Sequence, residues 1–156
     1  MTATVEILNE SDSQWLPDLE SCESWISSAL EQACYTEDIG VSVKFVNESE
    51  SKELNGNYRG KHAPTNVLSF PADLPREVLT QLEQRPLGDI VICPSVLETE
   101  ALEQGKTLES HWAHLVTHGT LHLLGYEHDD PKDAELMEAM EITSLESLGY
   151  ANPYIT

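Results

Sequence analysis

The sequence predicts an α+β fold, a small mixed β-sheet packed with helices, in a single domain over residues 1–156. Three observations carry that expectation. Short stretches of strand-like alternation trade places with amphipathic helix-length stretches. The chain has no repeat, no low-complexity tract and no linker. A long helical run in the last third stops at a glycine, Gly125. A chain of 156 residues fits one domain and can bury roughly 68–70% of its unfolded surface, so a core is expected without staples.

Thr4–Leu8 reads as the opening strand. After Pro17, the positions Cys22, Trp25, Ile26, Ala29, Leu30, Ala33 and Cys34 make the stripe of a helix with one face in the core, both cysteines serving as small apolar packers. Gly40 breaks the chain, and Val41, Val43 and Phe45 alternate with Ser42 and Lys44 as a half-buried strand. A polar helical turn around Glu48–Asn55 precedes a strand at Asn66–Phe70. Pro71, Pro75 and Pro86 surround a weak helical segment, REVLTQLE, which reads as a surface excursion. Leu87–Pro94 is a short apolar strand whose one charge, Asp89, is either satisfied by backbone donors or orients a group near a metal. Ser95 caps a helix through Gln104, and Ser110 begins the next one. Asp130 and Pro131 open a last helix, with Leu136, Met137, Met140, Leu145 and Leu148 toward the core and Gly149 at its end.

The helix that begins at Ser110 carries the chemistry. His118 and His122 are four residues apart, so both imidazoles leave one helical face a turn apart and can grip one ion. Gly125 can end the helix in the left-handed conformation, letting the chain double back and bring His128 under the first pair. Three histidines with a fourth position left for water are the ligand set of a catalytic zinc, one Zn2+ ion. The offsets match the metzincin peptidase pattern H-E-x-x-H-x-x-G-x-x-H except that Gly119 stands where that pattern has its glutamate base. His114 lies one turn before His118 on the same face; as a ligand it would sit roughly 5–6 Å further along the axis, so it reads as a residue behind the ligands, a substrate contact or a packed core histidine. His111 reads as solvent-facing.

Arg59 and Lys61, flanking Gly60, are the only tight basic pair in the chain, just ahead of the Asn66–Phe70 strand. An arginine fork fits phosphate oxygens at two points, whereas lysine acts as a point charge; the alternative is a loop pair neutralising nearby acid. The net charge of −20, from 8 basic and 28 acidic residues, reads mainly as a solvated surface and weighs against unaided binding to nucleic acid. Cys22, Cys34 and Cys93 are odd in number and form no C-x-x-C pair, as expected of free thiols in a reducing compartment. No lysine or arginine precedes Lys44, which argues against a basic-start signal or an arginine-rich transit peptide, and no apolar run approaches the ~20 residues of a membrane helix. The expectation is a cytoplasmic, soluble protein with no membrane partner.

Taken together, HGTLHLLGYEH, PTNVLSFP after Tyr58 and Arg59, LGDIVIC and MEAMEITSLESLGYANPY resemble the YbeY family of bacterial endoribonucleases, over most of the chain from about Val41 to Tyr154. That resemblance implies a zincin-like domain with the metal held by His118, His122 and His128, and an arginine, Arg59, essential for activity. It implies single-strand-specific cleavage of RNA, not DNA, in maturation of the small-subunit rRNA 3′ end and in ribosome quality control. The implied partners are the ribosome, a small-subunit ribosomal protein and a ribosome-associated GTPase. Two positions depart from the family pattern, His62 and Glu127, where aspartate is usual; Glu127 precedes the third ligand and could alter a hydrogen bond to a ligand, while His62 bears on substrate contacts.

The expected chemistry is metal-assisted phosphodiester cleavage, with Arg59 steadying the transition state and Lys61 and His114 as candidate substrate contacts. With no glutamate at 119, the proton acceptor is the metal's own hydroxide, His114 or the substrate's 2′-hydroxyl chemistry. A zinc peptidase and a non-catalytic assembly factor with structural zinc are the rival readings.

Overall fold

The computed structural model describes residues 3–155, in the order β1 (Ala3–Asn9), α1 (Leu19–Gln32), β2 (Ile39–Phe45), α2 (Glu48–Arg59), β3 (Val67–Pro71), α3 (Arg76–Leu79), β4 (Arg85–Ile92), α4 (Pro94–Gln104), α5 (Leu108–Leu123) and α6 (Pro131–Ser147). The sheet order is β1-β2-β4-β3; β1, β2 and β4 are parallel and β3 runs antiparallel at one edge. This is the mixed α+β arrangement expected.

Period-two alternation decides which way each strand faces. Ile39, Val41, Val43 and Phe45 of β2, with Ile90 and Ile92 of β4 and Val67 of β3, point into the main core with Trp25, Ile26 and Leu30 of α1 and Trp112 and Val116 of α5. Leu68, Phe70 and Val91 point to the opposite face, where they meet Val46, just after β2, and Leu54 of α2. Trp112, fully buried, packs edge-on to Phe45 with ring centroids 5.1 Å apart. Gly88 is where β4 tolerates the crowding at this corner: at φ +147°, an added Cβ would collide with Phe70 O and meet Leu123 Cδ2 at 2.8 Å.

Several expectations need correction. Cys34 is not in the helical stripe; it is exposed, at φ 55°, in the left-handed turn after α1. A left-handed residue there lets the Cys34 and Tyr35 amides reach back to the Glu31 and Leu30 carbonyls. Leu136 is exposed at 53%, on the solvent side of α6. His111 is 3% exposed rather than solvent-facing, because Glu100 of α4 supplies a partner for Nε2 at 2.9 Å. Asp89 is exposed and does not line the metal cleft, so neither role suggested for it holds. Cys93 with Pro94, rather than Ser95, starts α4, and Thr107, whose Oγ1 accepts from Ser110 N at 3.2 Å, starts α5. Among the described residues, no helix is long and apolar enough to cross a membrane.

Candidate metal centre and its cleft

The centre is built on α5, which leans on the sheet through Gly119. An added Cβ there would meet Ile90 Cγ2 at 3.1 Å and Ser69 Oγ and Val67 Cγ2 at 3.3 Å, while Ser69 Oγ donates to Gly119 O at 2.9 Å. Position 119 therefore faces packed sheet, and a glutamate would have to push the helix away. A side chain at 119 would require Ile90, Ser69 and Val67 to give way beneath the helix.

α5 ends as its sequence suggests. Gly125, at φ 99°, closes the turn: its amide donates to His122 O at 3.0 Å and the Tyr126 amide to Leu121 O at 3.1 Å. The chain reverses and His128 comes back beside the helix, its ring centroid 5.5 Å from that of His118 and 5.0 Å from that of His122. One ligand atom from each of the three histidines lies within 4.8 Å of the others, so the group can hold a metal ion. Two are half-buried on the helix and the third is exposed.

The nitrogens that face away from the centre set the tautomers. His118 Nδ1 donates to Glu141 Oε2 at 3.0 Å, and His122 Nδ1 donates to Tyr126 O at 2.8 Å. Each Nε2 is then left with its lone pair, and these two atoms face one another at 3.0 Å. Two lone pairs so placed repel unless a cation lies between them; nitrogens on one tetrahedral zinc, at ~2.0–2.1 Å bonds, stand roughly 3.3 Å apart. The residues fit a metal. Burial first, then the neighbouring His118, holds the His122 imidazole down at about 4, so it is neutral and able to ligate at physiological pH.

Behind the ligands lies a residue that the sequence reading missed. Glu141 of α6, 0% exposed, accepts from His118 with one oxygen and, with the other, from His114 Nε2 at 2.6 Å and Tyr154 Oη at 2.6 Å. Burial pushes its carboxyl up, but hydrogen bonds from His114, His118 and Tyr154 outweigh that and hold it at about 2. The signal was present: 141 falls between Met137 and Leu145 at steps of four, which puts a charge on the buried stripe of α6. His114 is thereby turned toward Glu141, and its Nδ1 is buried with no hydrogen-bond partner among the described residues.

The three histidines open into a cleft of about 420 Å³ that is also lined by Tyr58, Arg59, Asn66, Ser69, His114 and Tyr154. Arg59 is not in a loop, as the alternative reading of the basic pair had it, but is the last residue of α2, which Gly60 ends at φ 72°. It is exposed and has no ion pair among the described residues, so the reading that it merely neutralises acid has no support. Lys61 is exposed and does not line the cleft. His62 lies against Gly56 of α2, its Nδ1 3.2 Å from where a Cβ would stand, and also stays outside the cleft. Glu127 lines the cleft, yet its carboxylate is 3.6 Å from His122 Nδ1, too far for a hydrogen bond; the Tyr126 carbonyl takes that place.

The sequence profile described as endoribonuclease YbeY matches residues 6–149, nearly the whole chain. This chain belongs to the YbeY family of endoribonucleases. YbeY membership makes it a hydrolase that acts on the phosphodiester bonds of RNA, within rRNA processing. The match stops short of Tyr154. The chain is also similar to the solution structure of TM1509 from Thermotoga maritima, with 28% identity, a TM-score of 0.56, and coverage of 98% of this chain and 100% of that one.

Proposed function

We propose that residues 1–156 form a single zincin-like domain that acts as a zinc-dependent, single-strand-specific endoribonuclease in maturation of the 16S rRNA 3′ end and in ribosome quality control. The observation that carries this reading is the cleft itself, which is lined both by a guanidinium with no ion pair among the described residues and by three converging imidazoles. His118, His122 and His128 hold the ion; when bound, it supplies Lewis acidity toward a phosphoryl oxygen and an activated water. Arg59 grips the phosphate through two parallel N–H donors and stabilises the charge that builds on it. Gly119 contributes no base, and His114 has Nε2 on Glu141 and Nδ1 buried away from the solvent side of the cleft, so neither takes the proton directly.

The test sets single-stranded RNA against casein, each with and without a chelator. Chelator-sensitive RNA cleavage with intact casein is expected. Casein digestion would favour the peptidase, and no digestion of either would favour an assembly factor with structural zinc.

Delivery follows from charge. Among the described residues, Arg59 is the only lysine or arginine lining a cleft that also holds Glu127 and Asp129, on a chain of net charge −20. Free RNA then associates weakly with a shallow salt dependence, and the ribosome, a basic small-subunit ribosomal protein or a ribosome-associated GTPase brings enzyme and substrate together in the cytoplasm. Cleavage of rRNA in ribosomal particles is expected to run at least ~10-fold faster than cleavage of the same RNA alone, since steering of this kind changes association by roughly 10- to 1000-fold. Equal rates would count against a delivering partner.

A further inference from the structure

We propose that Glu141 and Tyr154 are positioning residues of the metal centre: Glu141 turns His118 so that Nε2 faces the ion, and Tyr154 fixes the carboxylate that does so. This rests on the metal reading given above and adds two residues to it.

The geometry is specific. His118 sits on α5 with one ring nitrogen toward His122 and the other, Nδ1, on Glu141 Oε2 at 3.0 Å. Were the ring flipped or the tautomer exchanged, a buried carboxylate oxygen would face a lone pair or a carbon, at the cost of an unsatisfied charge. Glu141 is 0% exposed, so water cannot replace the missing donor. A carboxylate has free rotation about its last bond unless both oxygens are held. The second oxygen is held twice, by His114 Nε2 at 2.6 Å and by Tyr154 Oη at 2.6 Å. Tyr154 is therefore the far end of a relay, Tyr154 to Glu141 to His118, that reaches the ion site from a segment after the last helix.

That segment is itself held. Lys106 Nζ donates to Pro153 O at 2.8 Å, and Tyr150 Oη accepts from Trp25 Nε1 at 3.2 Å and donates to Glu109 Oε2 at 3.1 Å. The Tyr154 ring stands edge-on to His114, centroids 5.3 Å apart, and borders both the main cleft and a second cavity of about 310 Å³ lined by His118, His128, Met137 and Glu141. Overall, 44% of the residue is exposed, so its replacement by phenylalanine removes one hydroxyl without opening the core.

The experiment measures Zn2+ affinity by chelator competition for wild type, Tyr154→Phe, Glu141→Gln and the double variant, with Glu138→Gln as a control. Glu138 lines the second cavity on the same helix. The expected results are a roughly 10- to 100-fold loss for Glu141→Gln, the range found for partners of metal-bound histidines, and roughly 2- to 10-fold for Tyr154→Phe, the worth of one hydrogen bond. In the Glu141→Gln background, Tyr154→Phe should add nothing, because its effect passes through the carboxylate. The metal-free protein supplies an independent reading: a downfield imidazole N–H proton resonance, assigned to His118, present in wild type, broadened in Tyr154→Phe and lost in Glu141→Gln. If Glu141→Gln does not fold, Tyr154→Phe alone decides. Tyr154→Phe affinity equal to that of Glu138→Gln, or effects that multiply independently, would overturn the proposal. A wild type that binds no divalent ion would overturn the metal reading as a whole, a separate and recognisable outcome.

Discussion

Replacing Arg59 with alanine is expected to reduce RNA cleavage by roughly 100- to 1000-fold, the loss seen when one preorganised donor to transition-state charge is removed, and to leave everything else in place. The side chain is exposed, ends α2 and has no ion pair among the described residues, so neither the core nor an electrostatic network depends on it. Metal content, measured on the purified protein, and melting temperature should match wild type. The measurement is a nuclease assay run beside elemental analysis and thermal denaturation. Retained cleavage would remove the arginine from the reaction, and lost metal would mean that it acts on the fold. Lysine at 59 keeps the charge but not the planar fork, and should recover only part of the activity.

The second large effect separates two ligands that an activity assay cannot tell apart. His118→Ala and His128→Ala should each abolish tight Zn2+ binding and cleavage, since a three-ligand site does not survive the loss of one. Their metal-free forms should differ. His118 is a donor to a carboxylate with 1% of its side chain exposed, and removing that charge-assisted bond should cost about 1.5–3 kcal/mol. That corresponds to a fall in melting temperature of roughly 2–4 °C per kcal/mol for a domain of this size. His128 is exposed, so His128→Ala should melt with the metal-free wild type. Identical melting of the two variants without metal would mean that Glu141 does not depend on His118.

Spacing alone sufficed to bring the three histidines together. His118, His122, Gly125 and His128 lie within one helical turn and its reversal, where backbone geometry determines which side chains meet. The meeting of Arg59 with that group depends instead on the antiparallel placement of β3 between α2 and α5, a long-range pairing to which no local pattern points. Composition singled out Arg59 as half of a basic pair and the YbeY resemblance supplied its role; the fold puts the residue on the wall of the histidine cleft. Glu141 and His111 were missed for one reason: a charged or imidazole side chain on a helix is normally assigned to solvent, and only a partner from another helix, His114 and His118 in one case and Glu100 in the other, makes its burial affordable. Cys34 was misplaced because its helix stops at Gln32, two residues before the apolar stripe does. Gly119 was legible as a missing base but not as a contact surface, because steric room is a property of the neighbours.

β3 has one further consequence. Bonds from Cys93 N to Asn66 O and from Ala72 N to Leu87 O place the even-numbered residues of this segment in register with β4, so the backbone groups of Val67, Ser69 and Pro71 turn outward along the rim beside the histidines. Proline has no amide hydrogen to offer, and the Val67 amide is already taken by Asn66 Oδ1 at 2.6 Å. The rim thus shows mostly carbonyl oxygens. A polypeptide laid alongside would need alternating donors and acceptors and would find too few donors, whereas a chain of sugars brings hydroxyl hydrogens to every link.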